Sequence, residues 1–270
     1  DALIADLKTN LETKKKLKAK KTTVIATTTD PLQNADKAKT DEAQINLETI
    51  DNPVDVKDNV VEVTKLKKEI EEKLENAIKA LNGEIAILNA AADDGGVGAS
   101  ETNINLLITG LELEKHRTNE FIKLLKEVNS LIKGIKNINT LNPKIPTTTL
   151  NDKLEKLKDK AIDLKNGDSI DKINALNIDN LVGTVEPIVQ NAKAVQEVVE
   201  IYVKVAEDYT NADTAYGEAD KLYTEAIGKL ADATKAAAET AQADVKEKKA
   251  AAVAPAEAAA EVKRLIEGKN

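Results

Sequence analysis

Residues 61–90 read VEVTKLKKEIEEKLENAIKALNGEIAILNA, and aliphatic side chains recur in them every seven residues. One heptad row is Val63, Ile70, Ala77 and Glu84, and a second is Leu74, Leu81 and Leu88. Glutamates and lysines alternate on the outer faces. A seven-residue apolar repeat is typical of a helix that packs along a coiled-coil-like seam. The pattern predicts a helix that begins near Asp58 and is about 48 Å long.

The DDGG stretch at residues 93–96 predicts a turn that ends this helix. Beyond it, we expect Ser100 or Thr102 to cap a second helix, whose aliphatic stripe continues to about Asn139. That helix would be about 58 Å long. Two helices of similar length around a short glycine-rich turn predict an antiparallel hairpin. We therefore expect an all-α fold, an elongated helical bundle built on this long antiparallel hairpin with coiled-coil-like packing.

The chain before the hairpin has a less regular pattern. Residues 1–21 are expected to be helical because four aliphatic side chains share one face. These are Leu3, Ile4, Leu7 and Leu11. Residues 22–40 contain threonine clusters and an Asp-Pro step, which disfavour helix and predict a long loop. A short helix is expected over residues 41–50.

Shorter elements are predicted after the hairpin. Pro143 and Pro146 end the second helix. Helices follow over residues 150–164 and 169–182, where leucines and isoleucines keep helical spacing. A last long helix is expected over residues 185–223, in which valine, alanine and tyrosine trace a nearly continuous face.

The end of the chain differs in composition from the rest. Half of residues 231–260 are alanine, which favours helix but buries little surface, and Pro255 is expected to divide this segment. We therefore divide the chain into an elongated helical bundle, residues 1–230, and an alanine-rich tail, residues 231–270, that is helical or partly disordered.

The composition excludes several kinds of site. The 270 residues include no cysteine, methionine or tryptophan, and one histidine. Without cysteine the chain has no disulfide framework, thiolate metal site or cysteine nucleophile. A formal net charge of −8 argues against general attraction to nucleic acid. No apolar run approaches the roughly 18–20 residues that cross a bilayer. We expect no cofactor, no metal and no small-molecule substrate.

The one concentrated basic patch lies in the first predicted helix. It consists of Lys14, Lys15, Lys16, Lys18, Lys20 and Lys21. Such a patch attracts phosphate, sulfated glycan or an anionic headgroup by charge alone, although no aromatic residue is interleaved for base stacking. The alternative is a solvated helix end, where lysines suit the negative end of the helix dipole. We favour the solvated end and keep the polyanion contact as a candidate.

All four tyrosines recur at seven-residue steps in the last long helix. They are Tyr202, Tyr209, Tyr216 and Tyr223. Aromatic side chains at helical spacing can anchor an interface with another protein. Alanine and valine share the same face, so we favour a helix–helix seam and keep the interface as a second candidate.

Other polar residues give weaker indications of chemistry. His116 is the only histidine, and the sequence places no serine or carboxylate around it, so we expect a solvated helix position and not a catalytic base. Two acidic groups could contact calcium weakly, but neither reproduces an EF-hand loop, and turn or capping roles suffice. They are Asp93, Asp94 and Glu101, and Asp168 with Asp171. We predict no catalytic residue.

The arrangement of helices resembles that of a known group of surface proteins. The resemblance is carried by the hairpin at residues 63–88 and 104–138, the loop at 90–100 and the alanine-rich segment at 231–260. On these features the chain is similar to the elongated helical coat proteins of trypanosomes. The nearest type is the glutamate/alanine-rich coat proteins, and the amino-terminal domain of the variant surface glycoproteins, which normally carry disulfides, is more loosely similar. The resemblance implies a lipid-anchored, densely packed coat.

We therefore expect a non-enzymatic extracellular protein of the cell surface, a rod-like helical bundle that forms a coat or presents loops to partners. One alternative is a secreted coiled-coil structural or matrix protein. Another is a helical pore-forming toxin component, although the apolar run at residues 85–92 is short for that role; an enzyme ranks last. We expect protein partners or self-association, membrane contact only through a GPI-type lipid anchor, and no nucleic acid.

Overall fold

The computed structural model describes residues 2–50, 54–179, 181, 183–228 and 235–267. Within these residues the chain forms seven α-helices and no β-strand. The helices are α1 (Ala2–Ala43), α2 (Val54–Ala90), α3 (Asp94–Leu141), α4 (Thr148–Asn166), α5 (Ile170–Asn174), α6 (Glu186–Gly228) and α7 (Lys235–Glu267). The expected all-α class is confirmed for this part of the chain.

The chain divides into two compact units. The first comprises Asp1–Thr140 and Pro146–Glu186 and holds α1, α2, α4, α5 and nearly all of α3. The second comprises Leu141–Ile145 and Pro187–Asn270 and holds α7 and nearly all of α6. The boundary expected at residue 230 falls outside the described residues, and that division stays a prediction.

α1 is twice as long as the sequence predicted. It runs without interruption through residues 22–40, so the loop expected there is wrong. Packing outweighs the local preferences of threonine and proline, because side chains three, four or seven residues apart are buried against neighbouring helices. These are Val24, Thr28, Ala35, Ala38 and Glu42. The Thr28 hydroxyl donates within α1 to the Ile25 carbonyl oxygen at 2.6 Å, and Pro31 removes only one backbone donor.

The short helix expected over residues 41–50 is also wrong. α1 ends at Ala43, and the residues that follow it are not helical. They are fastened along α3 by Asn129, whose Oδ1 accepts from the Glu48 N–H at 3.0 Å and whose Nδ2 donates to the Asn46 carbonyl at 3.1 Å. One amide side chain of α3 thus supplies hydrogen bonds that a helix would have made internally.

α1, α2 and α3 share one aliphatic core in the first unit. Its fully or nearly fully buried members are Val24, Ala35 and Ala38 of α1, Leu74, Ile78, Leu81 and Leu88 of α2, and Val97, Ile104 and Leu111 of α3. The second half of α3 continues the apolar row, with Phe121, Leu125 and Ile132 fully buried. The core therefore consists almost entirely of aliphatic side chains.

α3 begins earlier than the sequence predicted. The expected caps, Ser100 and Thr102, lie inside the helix, which starts at Asp94. Asp93 Oδ1 instead accepts a hydrogen bond from the Gly96 N–H at 2.6 Å, so this side chain satisfies one of the free donors of the first turn. The connection between α2 and α3 is only three residues long, and the glycines belong to α3.

α4 packs on α2, and α5 is a single short turn of helix. The helix expected over residues 150–164 is confirmed as α4, whose buried face is Leu150, Leu154, Leu157, Ala161 and Leu164. The helix expected over residues 169–182 is reduced to the five residues of α5. The backbone leaves the helix before Asn177, where φ is 49°, and residues 180 and 182 lie outside the described part.

α6 and α7 form the second unit. α7 passes through Pro255 without the break that was expected there, because alanines on both sides favour helix. Lys249 of α7 lies over the ring of Tyr216 in α6, with Nζ 5.8 Å from the ring centre. Among the helices described here, none has both the length and the apolar content needed to traverse a bilayer.

Candidate binding surfaces

The six lysines of the basic patch are divided between two roles. Lys20 and Lys21 fasten α1 to the turn between α2 and α3. Lys20 Nζ lies 2.9 Å from Asp94 Oδ1, and Lys21 donates to the carbonyl oxygens of Asn89 and Ala91. The hydrogen bond with Asp94 raises the pKa of Lys20 above its ordinary value. Lys21 also offsets the negative end of the α2 dipole, so both lysines have a structural role.

The other four lysines, Lys14, Lys15, Lys16 and Lys18, are exposed on α1. Lys15 pairs with Glu12 one turn away at 3.0 Å. Lys14 and Lys16 line a cavity of about 490 Å³ beside the turn between α2 and α3, and two aspartates of that turn line it as well. The polyanion contact stays a prediction, and these four lysines are its candidates.

The start of α1 forms a helical arm, residues 2–16. α1 is antiparallel to α2, because Lys20 meets Asp94 at the turn whereas Lys39 lies 3.5 Å from Glu75, well before the end of α2. The residues that precede Lys20 therefore lead away from the turn, and the helix start lies about 27 Å along the axis from Lys20. Every side chain of the arm is exposed.

The arm carries an apolar row that the described chain does not cover. The helix expected over residues 1–21 is confirmed as part of α1, but its aliphatic face is exposed by 53 to 72%. The row is Leu3, Ile4, Leu7 and Leu11. Single exposed leucines are common on protein surfaces, whereas a contiguous row indicates a contact surface.

The tyrosine column lies on α6 and is partly covered. Tyr202, Tyr216 and Tyr223 are half-buried, and Tyr209 is 38% exposed. The cation–π contact of Tyr216 with Lys249 holds α7 against this side of α6. The column thus has an internal contact at one position and exposed ring surface at another, and both the seam and the interface stay predictions.

His116 contacts another helix, whereas the sequence had suggested a solvated position. Its side chain is half-buried, and Nε2 lies 2.8 Å from Asn174 Oδ1 on α5. A ring N–H that donates to an amide oxygen orients the imidazole. The geometry therefore gives His116 a linking contact between α3 and α5.

The acidic residues considered for calcium are engaged locally. Asp94 and Glu101 lie 2.9 and 4.0 Å from the same lysine of α1. Asp168 pairs with Lys172 at 2.7 Å, and this hydrogen bond lowers the pKa of Asp168, while Asp171 lies in the first turn of α5. Within the described residues, no three histidine or acidic side chains converge as metal ligands do.

Arg117 is a structural residue that the sequence analysis missed. Its residue surface is 2% exposed, and Nη1 donates to the carbonyl oxygens of Leu164 and Lys165 at the end of α4. Glu114 balances the charge, with Oε2 2.8 Å from Nε. The planar guanidinium donates to two carbonyls at the negative end of α4 through Nη1 and to Glu114 through Nε and Nη2, and a lysine ammonium has no such fork of donors. The available signal was composition, because only two of the 39 basic residues are arginine.

A buried ion pair between α1 and α2 was also missed. Glu42 is fully buried, and its Oε1 lies 2.9 Å from Lys67 Nζ. Burial raises the pKa of Glu42 and outweighs the opposing effect of Lys67. Its Oε2 has no hydrogen-bond partner among the residues that the structure describes. Since Glu42 ends a row of small and apolar positions, the local pattern gave no sign of the pair.

No family model, no curated protein and no solved structure matches the chain. The function is therefore inferred from the helices and surfaces of the chain itself. The described side chains join helices through aliphatic packing and paired charges, and they leave the arm, four lysines and part of the tyrosine column facing outward.

Proposed function

We propose that the chain is a non-enzymatic extracellular protein of the cell surface, like the trypanosome coat proteins that it resembles. In this proposal a rod-like bundle, built on α2 and α3 as an antiparallel hairpin with coiled-coil-like packing, forms a coat or presents its loops to partners. The partners are other proteins or further copies of the chain, and a GPI-type lipid anchor holds the protein to the membrane.

The observation that carries the proposal is the matching of two heptad rows. The rows are Leu74, Leu81 and Leu88 in α2, and Val97, Ile104 and Leu111 in α3. All six residues are fully buried in the same core. Because both rows advance by seven residues, they support an antiparallel register in which Leu88 faces Val97 near the turn and Leu74 faces Leu111 far from it. The 3.3 Å hydrogen bond from Asn103 to Glu84 supports the same register.

α1 supports the bundle as a third helix. Its contacts with α2 run from the hydrogen bond of Lys21 with the Asn89 carbonyl to the ion pair between Glu42 and Lys67. Narrow bundles of this kind are filled by leucine, isoleucine, valine and alanine and need no large aromatic side chains, which agrees with the 2% aromatic content. Their outer faces tolerate charge, as a surface coat requires.

Labelling of intact cells tests the proposed location. An antibody raised against the folded chain should bind unpermeabilised cells of the organism that makes the protein. Phosphatidylinositol-specific phospholipase C should then release the protein into the medium, and heat-inactivated enzyme should not. Labelling that appears only after permeabilisation would contradict the proposal.

The two alternatives give different results in parallel assays. A matrix protein would collect in the medium without the lipase and form ordered fibres as its concentration rises. A pore-forming component would release dye from liposomes. Either result, combined with absence of the protein from intact cell surfaces, would replace the coat function.

A further inference from the structure

We propose that the arm, residues 2–16, together with the adjoining Lys18, binds the surface of an anionic lipid bilayer as an amphipathic helix. This contact is separate from the lipid anchor of the proposed function and does not depend on it. The inference is carried by the exposure of the arm, by the direction in which its charged side chains project, and by the charge of the rest of the chain.

The apolar row of the arm lacks a packing partner within the described residues. Its side chains are all exposed, and Leu3 and Leu7 are 72 and 60% exposed. A lone helix of this length is marginal in water, because helices in proteins owe most of their stability to the packing of an apolar face. The arm is therefore a surface that is stabilised when something apolar covers it.

Cations accompany the apolar row around the helix axis. At about 100° per residue, the four aliphatic residues of the arm occupy an arc of about 100°. Lys14 and Lys18 project within this arc, and Lys8 and Lys15 project within about 40° of its edge. Asp6 and Glu12 project from the opposite half of the helix. A surface that meets the apolar row thus meets four ammonium groups, of which that of Lys15 is paired with Glu12 at 3.0 Å.

An anionic bilayer surface has the complementary chemistry. Its acyl boundary accepts aliphatic side chains, and its phosphate and carboxylate headgroups attract the flanking lysines, whose long stems keep the charge at headgroup level. Simple polyanions, such as sulfated glycans, would leave the aliphatic row in water. A helix with a basic, leucine-bearing face is typical of proteins that lie in the bilayer interface.

A second copy of the chain is a poorer occupant. Two arms joined in parallel by their apolar faces would bring the four lysines of one against the four lysines of the other, and an antiparallel pair, which avoids this, is tested by the sedimentation experiment below. Residues 1–21 carry seven lysines and three acids, a local charge of +4. Since the net charge of the whole chain is −8, the remaining residues carry a net charge of −12. An anionic surface therefore attracts the arm and repels the remainder, which leaves the arm as the point of contact.

Vesicle flotation tests the proposal with the full chain. The protein should float with vesicles of phosphatidylcholine containing phosphatidylserine, should not float with phosphatidylcholine alone, and should be released by high salt. Leu7→Glu should weaken binding at least about tenfold, because it places a charge in the apolar row. Ala5→Glu makes the same charge change on the opposite half of the helix and should leave binding within about twofold.

A pair of lysine variants tests the cationic contribution in the same assay. Lys18→Ala should weaken binding about fivefold, whereas Lys16→Ala, on the far side of the helix, should change it little. All four substitutions fall on exposed positions, so circular dichroism should show an unchanged helix content. Equal losses from Leu7→Glu and Ala5→Glu would overturn the proposal in favour of plain charge attraction.

Two further results would also overturn it. One is failure of the parent protein to float with the anionic vesicles. The other is a dimer in sedimentation experiments without lipid that Leu7→Glu dissociates and Ala5→Glu does not, because a second copy would then cover the arm. Neither result bears on the labelling of intact cells, so the surface function and the arm contact can fail separately.

Discussion

Arg117 donates a hydrogen bond to the carbonyl oxygen of Lys165 at 3.0 Å from a position that is 98% buried. The same carbonyl accepts a second hydrogen bond from Lys73 of α2 at 2.7 Å. Partial burial, and then the charge of Arg117, lower the pKa of Lys73. The last turn of α4 is therefore bound by cations from both α2 and α3, and these contacts link the three helices of the first unit.

Loss of the Arg117 guanidinium should destabilise the first unit. Arg117→Ala leaves Glu114 without its partner and removes one hydrogen bond from each of two carbonyls, so the free energy of unfolding should fall by about 2–4 kcal/mol in urea titrations. Arg264→Ala is the matched control, because the only other arginine is exposed and pairs with Glu261 one turn away. It should leave the transition unchanged. Equal effects of the two variants would contradict the structural role of Arg117.

The long helices could be predicted where the seam is aliphatic. In α2 the row that contains Leu74 and Leu81 is apolar at each step, and a single sequence window reveals it. In α1 the buried positions are occupied by residues such as Thr28, Ala35 and Glu42, which form no apolar pattern. Their burial comes from α2 and α3, which lie far away in sequence, so local propensity indicated a loop where tertiary packing imposes a helix.

The basic patch shows that local sequence also fails to reveal the distant contacts of a candidate site. Six lysines look equivalent in sequence, but Lys20 is paired with Asp94, a residue 74 positions later. Only the fold brings that turn beside α1 and separates the two structural lysines from the four exposed ones. The apolar row of the arm was visible in the sequence, whereas the fact that nothing in the described chain covers it was not.

The buried carboxyl of Glu42 should give stability a distinctive pH dependence. Because burial raises its pKa above 4.5, the folded chain holds this proton more tightly than the unfolded chain. The resulting stabilisation is complete below the unfolded pKa and is lost as pH rises through the folded value. Glu42→Gln cannot ionise, so it should unfold at higher urea concentration than the parent at neutral pH, and the difference should shrink as the pH falls toward 4.5.

Glu48→Gln should change the pH dependence of stability in the opposite sense to Glu42→Gln. The hydrogen bond from Lys136 lowers the pKa of Glu48, so its stabilisation is present above the unfolded pKa and is lost in acid. This variant should therefore be less stable than the parent at neutral pH and equal to it in acid. If Glu42→Gln behaved in the same way, the ion pair with Lys67 would be net stabilising and the burial argument would fail.

The antiparallel register proposed for α2 and α3 can be tested by cross-linking, because the chain has no cysteine of its own. Glu84→Cys combined with Asn103→Cys replaces two side chains that are hydrogen-bonded at 3.3 Å, and a short bismaleimide should join them within one chain. Glu84→Cys combined with Thr109→Cys moves the second thiol about 9 Å along α3 and should give little product. Similar yields for both pairs, read by mass spectrometry, would reject the register.

Two glycines of α3 should respond to alanine in opposite directions. A Cβ at Gly134 would collide with the side chain of Val185 and lie 3.3 Å from Leu150, whereas a Cβ at Gly110 would meet no atom of the described residues within 4 Å. Alanine favours helix over glycine by about 1 kcal/mol, so Gly110→Ala should raise the free energy of unfolding by about 0.5–1 kcal/mol. Overpacking outweighs that gain at Gly134, where alanine should lower it by about 1–3 kcal/mol. A Gly134→Ala variant that melts above the parent would show that Val185 does not hold its place against α3.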